Sequence, residues 1–240
     1  MVLFRTLIIG FFSAAAAAAA MGSLAQAYEV AAVTGGGTIT GKVIFTGAVP
    51  MKKIIPTKDA AVCGGVREEP LILVGADQAV QNAVVYLVEV AKGKAWAETG
   101  KTPELDQVKC RFEPAVQVMP AGMLEIVNSD AVLHNTHGYY GKRTAFNLAL
   151  PNQGQRIPTE LKRAGEVRVD CDAHGWMEGW VYVVDNPYFA ITGADGKFSI
   201  ADVPPGNYTL VTVQPYTGPI EQPVTVTEGQ SADLTVELKK

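Results

Sequence analysis

Three histidines, one cysteine and one methionine carry the chemistry legible in this chain. His134, His137 and His174 are its only histidines in 240 residues, and each lies within three positions of another histidine or of Cys171. Two fall in His134-Asn135-Thr136-His137, the third in Cys171-Asp172-Ala173-His174-Gly175-Trp176-Met177. A thiolate, two imidazoles and a weak axial thioether are the donors of a trigonal blue-copper site, soft enough for Cu(I) and borderline enough for Cu(II). His134, Cys171, His174 and Met177 are therefore the candidate metal ligands, and His137 is a candidate extra or alternative one. Zinc is the competing ion. Its structural sites close with four ligands, often two or more of them cysteines, and a thioether adds little to them.

Positioning these groups falls to strands. In Gly165–Cys171 the residues Val167, Val169 and Cys171 share one face by period-two alternation while Arg168 and Asp170 face away, so the thiol ends an inward row. His174 and Met177 follow in the loop that leaves this strand, and His134 must arrive from a neighbouring strand end. The rest of the chain reads the same way. Strand signals cover Thr38–Phe45, Ala83–Val88, Ala115–Val118, Met123–Val127, Trp180–Val184, Lys197–Ile200, Tyr208–Val213, Val224–Val226 and Leu234–Leu238. Turn chemistry separates them at Pro120-Ala121-Gly122, Asp195-Gly196 and Pro204-Pro205-Gly206-Asn207. No segment keeps a 3.6-residue apolar period over 12 or more positions, and only Ala91–Gly100 leaves room for a short helix. The expected class is all-β, built of sandwiches.

With these motifs in place, the constellation resembles a cupredoxin, closest to the amicyanin and plastocyanin group. Asn128-Ser129-Asp130 followed by His134-Asn135 resembles the segment bearing that family's first copper histidine. His134-Asn135-Thr136-His137 is similar to the amicyanin His-Asn-Val-His, and Cys171-x-x-His174-x-x-Met177 has the amicyanin ligand-loop spacing. Phe112-Glu113-Pro114 to Gly122 looks like a strand of that sheet with its glycine turn. The resemblance spans about Gln107 to Asp185. It implies a Greek-key sandwich with one type 1 copper site held by His134, Cys171, His174 and Met177. It also implies that Asn135 ties the two loops together and supports the thiolate, and that the outer imidazole edge of His174 lies near solvent as the electron exit. Trp176, Trp180, Tyr139 and Tyr140 form either the surrounding apolar contact patch or ordinary sandwich packing. Gly175 stands where amicyanin has proline, which loosens the loop.

A second module is legible on either side. Phe189–Phe198 and Val203–Leu210 resemble the carboxypeptidase regulatory-like, or transthyretin-like, β-sandwich, whose opening Gly-x-Ile-x-Gly-x-Val strand is similar to Gly37–Val43. The expected layout is a signal peptide at 1–27, an N-terminal β segment at 28–104, a cupredoxin domain at 105–185 and a regulatory-like segment at 186–240. Segments 28–104 and 186–240 form either one split sandwich or sequential modules.

The compartment follows from the ends and the cysteines. Arg5, the apolar stretch from Thr6 to Gly22 and Ala25-Gln26-Ala27 make a secretory signal with its cleavage site, leaving a mature chain from Tyr28 with no further membrane span. Cleavage removes only Arg5 among the charges and takes the net charge from −4 to −5; no clustered basic surface offers itself to nucleic acid. An exported chain tolerates disulfides. Three cysteines leave one over, and with Cys171 among metal-binding residue types the expected pair is Cys63 with Cys110, although the other pairings remain arithmetically open.

The function expected is a periplasmic one-electron carrier cycling Cu(I)/Cu(II), with redox proteins of that compartment as partners. The alternative is a copper-handling or resistance protein using the same ligands without redox turnover, and a binding module built on the regulatory-like part is a third class. Enzymatic copper chemistry on oxygen or nitrite needs a further histidine-rich centre, which three histidines cannot build; no serine-hydrolase elbow or P-loop occurs either.

Overall fold

The computed structural model describes residues 27–240, so the expected signal peptide lies outside the described residues but for Ala27. Two β-sandwiches and a small strap make up the fold. The first sandwich faces a four-stranded sheet, in the order Gln155–Leu161, Gly122–Asn128, Glu104–Gln107, Phe112–Glu113, against a five-stranded one, Arg143–Leu150, His134–Tyr140, Gly165–Asp170, Glu178–Val183, Val116–Met119. Alternation sends Leu124 and Ile126 from one sheet and Val167, Val169 and Val181 from the other into a common core with Leu105 and Phe112, all at most 1% exposed.

The second sandwich draws on both sides of the first in sequence. One sheet runs Phe189–Ile191, Val84–Val88, Gly206–Gln214, Gly218–Val226, the other Lys197–Val203, Gly37–Phe45, Ser231–Leu238. Gly37–Phe45 lies parallel to Ser231–Leu238 from Thr38–Ser231 to Phe45–Leu238, near the two ends of the chain. Gly41 is at the crowded point of this pairing, where a Cβ would run into the Leu234 carbonyl and the Phe198 ring. The core joins Ile39, Val43, Leu87, Tyr188, Leu210 and Val236. Val84 and Val213 from this sandwich meet Tyr182 from the first in a small buried cluster, with Trp180 against it.

Ala91–Gly100, the one segment that left room for a short helix, forms none. Lys92–Gly93 pairs parallel with Glu29–Val30, and the segment is then held extended: Tyr28 donates to the Lys94 carbonyl, the Lys94 amide donates to the Tyr188 hydroxyl, and Trp96 packs on Phe189. The α-helix among the described residues is instead Ala60–Cys63, inside a strap whose arms Met51–Ile54 and Arg67–Pro70 pair antiparallel. The strap is tied to the first sandwich by a disulfide between Cys63 and Cys110.

Candidate metal centre

His134 opens its strand, and alternation puts His134, Thr136 and Gly138 on the buried face while Asn135 and His137 take the other. Cys171 comes one residue after the neighbouring strand Gly165–Asp170, at the end of the inward row Val167, Val169. Two successive turns then fold the loop back, with the His174 amide on the Cys171 carbonyl and the Met177 amide on the His174 carbonyl. His134 and His174 are fully buried and Cys171 is 1% exposed.

The three side chains converge. His134 Nδ1 lies 3.0 Å from His174 Nδ1, and each Nδ1 lies 3.7 Å from Cys171 Sγ. The opposite nitrogens both end on carboxylates: His134 Nε2 is 2.8 Å from Asp130 Oδ2 and His174 Nε2 is 2.9 Å from Asp59 Oδ2. A carboxylate accepts, so Nε2 carries the proton on each ring and both Nδ1 lone pairs point at one another and at the sulfur. The Asn135 amide donates to Cys171 Sγ at 3.4 Å. Asp130 is itself fixed, accepting the Lys109 amide on Oδ1 and the Cys110 amide on Oδ2.

This donor set fits an ion. A point equidistant from the three atoms is about 2.0 Å from each, against ~2.0–2.1 Å for a metal–imidazole and ~2.3 Å for a metal–thiolate bond. Imidazoles that bind metal hand their other N–H to a carboxylate, carbonyl or water, as both rings do here. Burial pushes the Cys171 thiol pKa up, against the backbone N–H groups that favour the thiolate. Burial also pulls the His134 imidazole down, opposed by its bond to Asp130. Both shifts favour the uncharged forms, a Cys171 thiol and a neutral His134 ring whose Nδ1 lone pair faces the other two donors.

Met177 is 3% exposed and belongs to the same buried cluster as Cys171. Asn135 bonds to both neighbouring segments, its Oδ1 accepting the Asp172 amide and its Nδ2 donating to Asn147 Oδ1. His137 stands apart on the outer face, in contact with Asp172, Tyr139, Asn147 and Thr144.

The outer edge of His174 is not near solvent. The strap carries Asp59 over it, which corrects the expectation of an exposed imidazole exit; the cover comes from a segment outside the one that resembles a cupredoxin, so the resemblance held no sign of it. The four aromatics do not gather into one contact patch at His174. Trp176 packs edge-on against it, with ring centroids 5.1 Å apart, whereas Trp180 lies at the sandwich junction, Tyr139 stacks on His137 and Tyr140 sits under Arg163. Two site residues were given no role from sequence. Asp130 had a signal, standing four residues before His134 in a turn; Asp59 had none, since 115 residues separate it from its partner.

Residues 181–239 match the carboxypeptidase regulatory-like domain. No curated protein matches the chain by sequence. Among solved structures, a copper-containing nitrite reductase from Thermus scotoductus is similar at 22% identity and TM-score 0.32, over 39% of this chain and 24% of that one. The chain thus spans about a quarter of that enzyme. A purple cupredoxin from Nitrosopumilus maritimus is similar at 22% identity and TM-score 0.31 over 34% of this chain and 99% of that one. Amicyanin from Paracoccus versutus is similar at 19% identity and TM-score 0.32, over 36% and 85%.

Proposed function

We propose that the chain is a type 1 copper protein that carries one electron at a time in the periplasm. The observation that carries this reading is the buried triangle of Cys171 Sγ, His134 Nδ1 and His174 Nδ1, each imidazole locked from behind by a carboxylate. Copper, when bound, supplies a Cu(I)/Cu(II) couple that a thiolate–imidazole donor set serves in both states. The chain's part is to hold those donors still and dry. Cys171 is restrained by its strand and by the Asn135 amide, His134 by Asp130 and His174 by Asp59, so neither oxidation state calls for large movement. Met177, in the same cluster, is the proposed weak fourth donor.

Burial favours electron carriage over copper delivery, because a donor set with no exposed member does not hand its ion readily to an acceptor. The Cys63–Cys110 disulfide supports an oxidising compartment. All three histidines of the chain are accounted for, two in the triangle and His137 in its own cluster, which argues against a second centre for substrate chemistry.

The test is a visible spectrum of the protein from Tyr28 onward, titrated with Cu(II) beside Cys171→Ala. An intense thiolate-to-copper band saturating at one equivalent, absent from the variant and bleached reversibly by reductant, is the expected result. Copper binding without that band overturns the carrier reading and moves the function to copper handling.

A further inference from the structure

The strap leaves the second sandwich after Phe45 and returns to it at Val84, yet its disulfide and Asp59 reach the first. Asp59 sits immediately before the Ala60–Cys63 helix, in the left-handed region at φ 53°, and its side chain makes no bond to the helix it precedes. An aspartate at that position ordinarily caps the free amides of its own helix. Here the carboxylate reaches away to His174 Nε2, and Asp59 itself is about one-third exposed while the histidine is fully buried. Four residues on, Cys63 is bonded to Cys110. A sulfur of each half-cystine lies within 4.8 Å of a His174 ring nitrogen, and Cys110 has the same closeness to the donor atoms of Asp130 and His134. The Cys110 amide bonds the very oxygen of Asp130 that meets His134. A second fastening lies beside the first: Arg67 donates to the Cys63 carbonyl and to Glu69, which also takes Arg111, the neighbour of Cys110.

We infer that the strap is the cover of the metal centre, with Asp59 as the positioning residue for His174 and the disulfide as its fastener. The inference rests on the metal-centre reading above and goes beyond it. Asp59 fixes which nitrogen of His174 faces the ion and shuts the ring edge from water. Because Asp59 and Cys63 belong to one turn of chain, the carboxylate cannot leave unless the strap lifts, and the disulfide opposes that lift. The rate at which metal enters or leaves is thereby set by a segment more than sixty residues before the first ligand in sequence, one that contributes no ligand itself.

Two measurements test this, one of which needs no metal. In the metal-free protein labelled with 15N-histidine, the His174 Nε2–H gives a resolved proton signal slow to exchange with water. Asp59→Ala abolishes it or speeds exchange at least about tenfold, whereas Asp59→Asn, whose carbonyl accepts the same bond, retains it. In the protein loaded with Cu(II), bleaching of its absorption by excess EDTA runs about tenfold faster in Asp59→Ala and in the double variant Cys63→Ser/Cys110→Ser, with Asp59→Asn between Asp59→Ala and the parent. Unchanged proton exchange in Asp59→Ala overturns the positioning role, whatever the outcome with copper. Unchanged copper loss in Asp59→Ala overturns the cover, and should the double variant fail to fold, Asp59→Ala decides alone. A parent protein that keeps the protected proton yet takes up no copper leaves the positioning role standing and sinks only the copper reading.

Discussion

His134 and His174 face each other nitrogen to nitrogen across 3.0 Å, each with its far side on a carboxylate. With both Nε2–H groups given to carboxylates, the two Nδ1 lone pairs are turned toward one point, where an ion would take both. The unfolded chain brings no such donors together. Binding must then stabilise the folded chain. Adding Cu(II) or Zn(II) at about a thousand times its dissociation constant should stabilise the fold by ~4 kcal/mol, since the unfolded chain lacks the triangle. Calorimetry should show the melting temperature of the first sandwich rising with metal, and Cys171→Ala should remove most of the rise.

Uptake should release a proton. With the Cys171 pKa raised by burial above its ordinary value, the metal-free thiol holds its proton throughout pH 5–8, and the ion must displace it. The lowered pKa of His134 keeps that ring neutral near pH 7, so it adds no second proton there. The sign is fixed by competition: apparent affinity climbs as pH rises, about tenfold per unit near pH 7, and flattens only above the thiol's own pKa. Below the range in which His134 protonates, the slope steepens. Competition titrations at four or five pH values between 5 and 8 measure this, and a flat profile would mean the thiol is ionised before metal arrives.

How much of this centre could be read in the sequence depends on distance along the chain. His134, Cys171 and His174 stood out because histidine is scarce here and the three cluster by spacing, and the inward row ending at Cys171 was visible as Val167 and Val169 alternating with charges. Asp59 was invisible. A single acidic residue among Lys58, Ala60 and Ala61 carries no pattern, and only the disulfide at Cys63 brings it near the loop. The strands Arg143–Leu150 and Gln155–Leu161 were missed for a different reason. Their outward faces are polar, so short runs such as Gln-Arg-Ile-Pro-Thr-Glu-Leu lack the dense β-branched signal of Val84–Val88.

Asp130 should matter more than a typical buried carboxylate. It accepts from His134, from the Lys109 amide and from the Cys110 amide, so Asp130→Asn turns one of these donors against an amide N–H. The expected outcome is metal affinity weakened by about 10–100-fold. Chemical denaturation of the metal-free form should show a loss of roughly 1–3 kcal/mol, the cost of a buried donor left without an acceptor. Equal affinity in variant and parent would show that His134 is oriented by packing alone.

The pairing of Gly37–Phe45 with Ser231–Leu238 predicts where the second sandwich is most sensitive. Gly41→Ala places a methyl against the Leu234 carbonyl and the Phe198 ring, and backbone must shift to admit it. A loss of roughly 1–3 kcal/mol is expected by analogy with overpacked cores. Gly41 belongs to the sandwich that does not carry the triangle, so the visible spectrum of the copper form should be unchanged at temperatures where both proteins are folded.

His137 offers the sharpest separation between spacing and geometry. By sequence it is three residues from His134 and could join the same ion; by strand alternation it faces the other way, its ring against Tyr139 at 4.0 Å and its nitrogens occupied by Asp172, Asn147 and Thr144. Asn135, between the two, reaches both sides: its amide donates to Cys171 Sγ and its side chain bonds Asn147. His137→Ala should therefore leave metal stoichiometry and the position of the absorption band as they are. His134→Ala, one and a half pleats away on the inner face, should abolish the band. Loss of the band in His137→Ala, as in His134→Ala, would place the outer histidine on the ion and require the strand to turn over at Asn135.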